Sequence, residues 1–194
     1  MKFLGAFVRS CLAASLLTIP VCAVAQADAT PPPEGVTAQL VTINGSGCSD
    51  QVGDVTVSPE GDSIILTFSD FLATKRIKTC TAVVQVTAPE GYAYAVTGVS
   101  YSGLADLPEG SAGTIRTLTW FQGGPAVVEL WQFDGPQLGS WEHTTEIPGE
   151  DQVFSTCGES PYLVLSTGAR VSGSSSAQMS VDGSARASLD WATC

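Results

Sequence analysis

Beyond residue 35 the apolar positions follow a period of two, in short runs rich in Val, Ile, Thr and aromatic residues and cut by Gly, Pro and Asp. Such alternation is the mark of strands with one buried face. It predicts strands at 36–43, 54–58, 63–69, 82–87, 92–101, 114–121, 127–133, 162–172, 178–181 and 185–191. Pro59-Glu60-Gly61-Asp62 and Pro89-Glu90-Gly91 sit between such runs as hairpin turns, and Asp182-Gly183 suits a two-residue type I′ turn between the last two. Several faces can be assigned as sets. Ala187, Leu189 and Trp191 share one face of the last run; Leu118 and Trp120 alternate with Thr117 and Thr119; Val127, Glu129, Trp131 and Phe133 alternate with Val128 and Leu130. No segment keeps a helical period over three turns. The expected fold is therefore all-β, a single antiparallel β-sandwich or jelly-roll-like domain over residues 36–194 without internal repeats. A chain of this length buries enough surface for one core, and Trp120 and Trp191 are expected to help fill it.

The first 35 residues break the pattern. Lys2 and Arg9 lie before an apolar run at 11–24, and the small-residue sites Ala23-Val24-Ala25 and Ala25-Gln26-Ala27 follow. A charged start, an apolar middle and a small-residue exit predict a secretory signal peptide over residues 1–27, cleaved after Ala27. The apolar run falls short of the roughly 20 residues a spanning helix needs. It also contains Pro20, and no later segment is long and apolar enough, so no membrane segment is expected in the mature form. Residues 28–35 (DATPPPEG) form a Pro-rich leader. The expected location is secreted and extracellular.

Cleavage at that point removes Cys11 and Cys22 and leaves Cys48, Cys80, Cys157 and Cys194. Four cysteines in an exported chain imply two disulfides, for which three pairings exist. Cys48–Cys80 with Cys157–Cys194 is preferred, because each pair closes a local segment at one end of the domain. Bridges of that span contribute on the order of 3–4 kcal/mol each in the chain-entropy view. A zinc site is disfavoured, since no CxxC occurs.

Charge narrows the function classes further. Loss of Lys2 and Arg9 takes the formal charge from −11 to −13. Nothing resembles the basic face that neutralises phosphates, so nucleic acid is not an expected partner. His143 is the single histidine. Sites built on two or more His ligands are excluded, and no metal or other cofactor is expected.

The ordered signatures GSGC (45–48), TFSDFLA (67–73), a basic residue shortly before Cys80, APEGYAYAVTGVSYSGLADL (88–107), WFQG (120–123), FDGP (133–136), STCG (155–158) and the final LDWATC carry a resemblance. Together they resemble the secreted domain-of-unknown-function family 4360 of bacteria and filamentous fungi, over essentially the whole mature chain. Two departures are visible: Ser49 stands where a Pro commonly follows the first cysteine, and Thr119-Trp120 where a double aromatic is usual. The resemblance implies a secreted, disulfide-stabilised β-fold and implies no activity.

No catalytic residue is assigned from the residues alone. His143 could in principle serve a Ser–His–Asp triad, but no GxSxG elbow accompanies it. Asp134, Glu142, Glu129 and Asp190 could supply the carboxylate pair of a carbohydrate hydrolase or lyase, the alternative reading. Asp50 and Asp54 lie in a Gly-rich loop without calcium-loop spacing. Asn44-Gly45-Ser46 is a formal glycosylation sequon. The aromatics are more suggestive: Trp120, Phe121, Trp131, Phe133 and Trp141 are interleaved with Gln122, Gln132, Asp134 and Glu142. Flat rings with amides and carboxylates between them suit the stacking and bonding of sugars. Trp131, Trp141 and Asp134 are the expected binding residues, with a polysaccharide or wall component as ligand. The cluster Lys75-Arg76-Ile77-Lys78 holds half of the six cations of residues 28–194 and could dock an acidic wall polymer, though a charged loop leading into a strand is the plainer reading. The expected function is a secreted, non-enzymatic binding or structural protein at the cell surface. A secreted effector or inhibitor of another protein is the further alternative, which would show as an apolar surface patch.

Overall fold

In the computed structural model, residues 31–48, 55–58, 61–68, 71–74, 76–181 and 183–194 are described. The signal segment, Asp50, Asp54, Pro59, Glu60, Lys75 and Asp182 lie outside the described residues, as do the sequence expectations that rest on them. Within the described residues the strands are β1 (Thr37–Asn44), β2 (Val55–Val57), β3 (Ser63–Phe68), β4 (Leu72–Ala73), β5 (Lys78–Thr87), β6 (Tyr92–Leu107), β7 (Ala112–Phe121), β8 (Val127–Asp134), β9 (Gln137–Glu146), β10 (Tyr162–Ser172), β11 (Gln178–Ser180) and β12 (Gly183–Thr193). Every pairing is antiparallel. One sheet runs β1-β5-β10-β7-β8, and the other runs β2-β3-β12-β6-β11-β4 with β9 added to β6.

The turns follow from residue chemistry. Pro89-Glu90-Gly91 joins β5 to β6 and Pro108-Glu109-Gly110 joins β6 to β7; in both the glycine has positive φ, 81° and 75°, which L residues avoid. Each turn closes on its proline carbonyl, which accepts from Tyr92 N at 3.3 Å and from Ser111 N at 3.0 Å. Strand β6 runs six residues beyond the predicted end because the alternation continues: Gly103, Ala105 and Leu107 remain buried. It is long enough to pair with β12 through Tyr92–Tyr101 and with β9 through Gly98–Leu107.

The core lies between the sheets. Ala82, Val84, Val86, Ile115, Leu163 and Leu165 from the first sheet meet Ile64, Leu66, Tyr94, Val96, Tyr101, Leu189 and Trp191 from the second. Trp191 fills the core as expected, and its Nε1 donates to the Gly61 carbonyl at 3.1 Å. A buried polar bond joins the two sheets, from Thr167 Oγ1 on β10 to Tyr101 Oη on β6 at 2.9 Å. Two disulfides pin loops to strands: Cys48 to Cys80 on β5, with Cα atoms 5.3 Å apart, and Cys157 to Cys194 beyond β12, at 6.1 Å. This is the pairing preferred from the local spacing.

Candidate functional site

On the outer face of the five-stranded sheet the register sets side chains in rows. Thr81, Ser166, Leu118 and Val128 form one row across β5, β10, β7 and β8. Thr79, Gly168, Arg116 and Leu130 form the next. Arg170, Thr114 and Gln132 form a third across β10, β7 and β8. Gly168 projects no side chain at the centre, so its neighbours stand as walls around a groove of about 410 Å³. Ile77, Leu118 and Leu130 supply apolar wall, Thr79, Thr114 and Ser166 supply hydroxyls, and Arg116 and Arg170 supply charge. Ile77 and Leu130 remain 58% and 66% exposed, a solvent cost with no internal partner.

Just past the groove, Trp120 lies on the same face opposite Val164, partly exposed, with Tyr162 as its diagonal neighbour. This corrects the expectation that Trp120 is core. Thr117 and Thr119 point inward instead, and both are buried. The alternation reports which residues share a face; here the threonine side met the opposite sheet, and Thr167, the cross-strand partner of Thr117 on β10, is buried beside it.

The charge distribution sharpens the picture. Of the six cations in residues 28–194, Arg186 pairs with Asp62 on the other sheet at 3.2 Å. Arg116 and Arg170 line the groove, and Arg76 and Lys78 flank Ile77 at its margin. Lys78 is tied back, its Nζ donating to the Ser46 carbonyl at 2.9 Å. Arg116 and Arg170 form no ion pair among the described residues. Asp134 is the one carboxylate among the described outward residues of these five strands, and it accepts from Gln132 Nε2 at 2.8 Å.

The three expected binding residues separate. Asp134 faces solvent near the end of the groove-bearing face. Trp131 and Trp141 are only 7% and 5% exposed, which corrects the expectation of an open stacking platform built from their rings. The reason is topological. Strands β8 and β9 are consecutive but belong to different sheets, so their inward faces meet and close one side of the sandwich. Trp131 packs on His143 with ring centroids 4.3 Å apart and donates to Thr145 Oγ1 at 2.9 Å. Trp141 packs on Phe133 at 5.1 Å and donates to the Ser180 carbonyl at 3.2 Å. His143 is thereby engaged with an indole.

Within each sheet the candidate carboxylates stand well apart along the strands. Glu129 and Asp134 point to opposite faces of β8 and stand five residues, roughly 16 Å, apart. Glu142 and Asp190 register with Ser102 and Ala95 of β6, seven residues or roughly 23 Å apart. Among the described residues no group of three or more His, Cys, Asp or Glu side chains could hold a metal ion. On the seven-stranded sheet, Leu72, Leu104 and Leu138 surround a second hollow of about 360 Å³, and Leu138 is 85% exposed.

A relative from the fungus Arthroderma benhamiae, named "Uncharacterized secreted protein", is 24% identical over 152 residues, covering 73% of this chain and 61% of the relative. The chain thus spans about three-fifths of the length of that curated relative. Among solved structures, TmCBM61 in complex with β-1,4-galactotriose covers 84% of this chain and 92% of its own at 8% identity and a TM-score of 0.29. The xylan-binding module CBM15 covers 79% and 97% at 11% identity and the same TM-score of 0.29. At such TM-scores neither likeness carries an argument. A secreted relative and two disulfides make this an extracellular protein. Over residues 34–194 the chain matches the domain of unknown function DUF4360, and it belongs to that family.

Proposed function

We propose that this protein is a secreted, non-enzymatic binding module that holds an extracellular polysaccharide in the groove on the outer face of its five-stranded sheet. The observation that carries this reading is the groove's lining. Aliphatic walls, three hydroxyl side chains and two arginines converge around Gly168 on a rigid sheet, with the partly exposed Trp120 and Tyr162 alongside. Sugars present both apolar C–H faces and a rim of hydroxyls, and sites that take them mix flat apolar surface with a few placed polar groups. Dispersal of the candidate carboxylates within each sheet favours binding over hydrolysis, because glycoside cleavage needs two carboxyl groups within about 10 Å of each other.

The test is depletion of the purified, oxidised protein by a panel of insoluble neutral and acidic polysaccharides, with release of soluble sugar followed in the same tubes. A Cβ at Gly168 would meet nothing closer than 3.8 Å, so Gly168→Ile fills the groove without disturbing its floor. Wild-type protein is expected to be depleted without sugar release. Gly168→Ile is expected to lose retention at least about tenfold, while its unfolding midpoint stays within a few degrees. Undiminished retention by Gly168→Ile would overturn the groove as the site, and sugar release would overturn the non-enzymatic reading. Absence of depletion on every polymer would pass the function to a protein partner, for which the Leu72, Leu104 and Leu138 cluster is the surface on offer.

A further inference from the structure

We infer that the polymer is anionic, a polysaccharide with carboxylates spaced along its chain as in a polyuronate, and that Arg116 and Arg170 are its anion contacts. This rests on the polysaccharide reading of the groove. In a chain with 19 acids and 8 bases, cations are scarce, and Arg116 and Arg170 form no ion pair among the described residues. Two exposed guanidiniums without a partner among the described residues stand on a face whose single described carboxylate, Asp134, is already hydrogen-bonded to Gln132. Arg is also the side chain whose planar fork grips a carboxylate through two parallel bonds.

Position selects spaced anions over a single dense one. Arg116 stands opposite Gly168 and Arg170 opposite Thr114, so the two are diagonal neighbours on adjacent strands, with backbones about 7–8 Å apart. That spacing lets each meet its own anion along a polymer, with the hydroxyls of Thr79 and Thr114 left for sugar hydroxyls, while Ser166 Oγ is hydrogen-bonded to Thr81 Oγ1 at 2.9 Å. An acidic peptide is a poorer match. Peptides dock on sheets mainly by adding a strand to a free edge, and β5, β10 and β7 are each paired on both sides. The remaining acidity of the molecule repels a polyanion, but that repulsion is largely screened beyond the Debye length of about 8 Å at physiological ionic strength. Affinity must then come from contact within the groove, and it should be sensitive to salt.

The experiment compares retention of the oxidised protein on polygalacturonate and on the same polymer methyl-esterified, coupled to one resin, from 50 to 500 mM NaCl. Wild type is expected to bind polygalacturonate more tightly than its ester and to weaken as salt rises. Arg116→Gln with Arg170→Gln is expected to lower retention on polygalacturonate at least about tenfold. Arg116→Lys with Arg170→Lys should keep charge but lose the fork, and fall between. Because both side chains are exposed, the variants should unfold at the wild-type midpoint, which separates lost binding from lost folding. Equal binding to acid and ester, or full retention by the double Gln variant, overturns the anion inference while leaving the polysaccharide reading in place. Preference for a sulfated polymer over polygalacturonate overturns the carboxylate assignment. No retention on any polysaccharide, neutral or acidic, overturns both.

Discussion

Trp131 and Trp141 combine the two properties of an interior aromatic: a ring packed against another ring, and an indole N–H with its own acceptor. Truncating either leaves a cavity and an orphaned acceptor. Trp131→Ala and Trp141→Ala are each expected to destabilise the fold by about 3–5 kcal/mol, read as a fall in the denaturant midpoint. A loss below about 1 kcal/mol would mean that these rings are not part of the packed interior. Asp62 is a carboxylate whose ionisation is linked to the fold through Ser58, Ser63 and Arg186. The Ser58 hydroxyl above all holds its carboxyl below the ordinary value of 3.8; burial opposes it as the next largest effect, and the Ser63 hydroxyl and the Arg186 charge lower it further. A depressed folded pKa contributes stability above the ordinary value and loses it as pH falls through the folded one. Wild type should therefore be more stable than Asp62→Asn at pH 6, and the gap should close below about pH 4. A gap that stays constant from pH 6 to pH 2 would refute the assignment.

Among elements, β7 teaches the most. Its alternation is plain in the sequence, yet the threonine face rather than the Leu118 and Trp120 face turned inward. Both faces carry enough apolar area to pack, so the choice fell to whichever matched the opposing sheet. Strand β9 falls outside the runs that the period-two pattern predicts, since Gln137–Glu146 has few β-branched apolar residues. Its backbone is satisfied by a ten-residue ladder with β6, a long-range partner that local propensity does not record. The disulfides differ by environment. Cys48 and Cys80 are buried, whereas Cys157 and Cys194 are exposed. Stepwise reduction with alkylation and mass spectrometry should therefore open Cys157–Cys194 first, because exchange requires access of a thiolate to sulfur. Simultaneous opening, or the reverse order, would contradict that ranking of access.

For the molecule as a whole, the groove is a property of juxtaposition. Its lining comes from residues 77–79, 114–118, 130 and 166–170, segments that the sheet order β5-β10-β7-β8 brings side by side. The run at 75–78 was visible as a basic cluster in sequence. Arg116 and Arg170 stand alone among uncharged neighbours and carried no signal until β10 was seen to lie between β5 and β7.

What the residues alone determined was everything with a local cause. Period-two alternation made an all-β chain, Pro-Glu-Gly made its turns, and cysteine spacing in an exported sequence made two short-range bridges. Which face of a strand is buried, which aromatic is reachable and which cations share a groove were decided only by tertiary structure. Those outcomes depend on strand order and register between distant segments, and period-two patterning is symmetric between a strand's two sides until an opposing sheet chooses one.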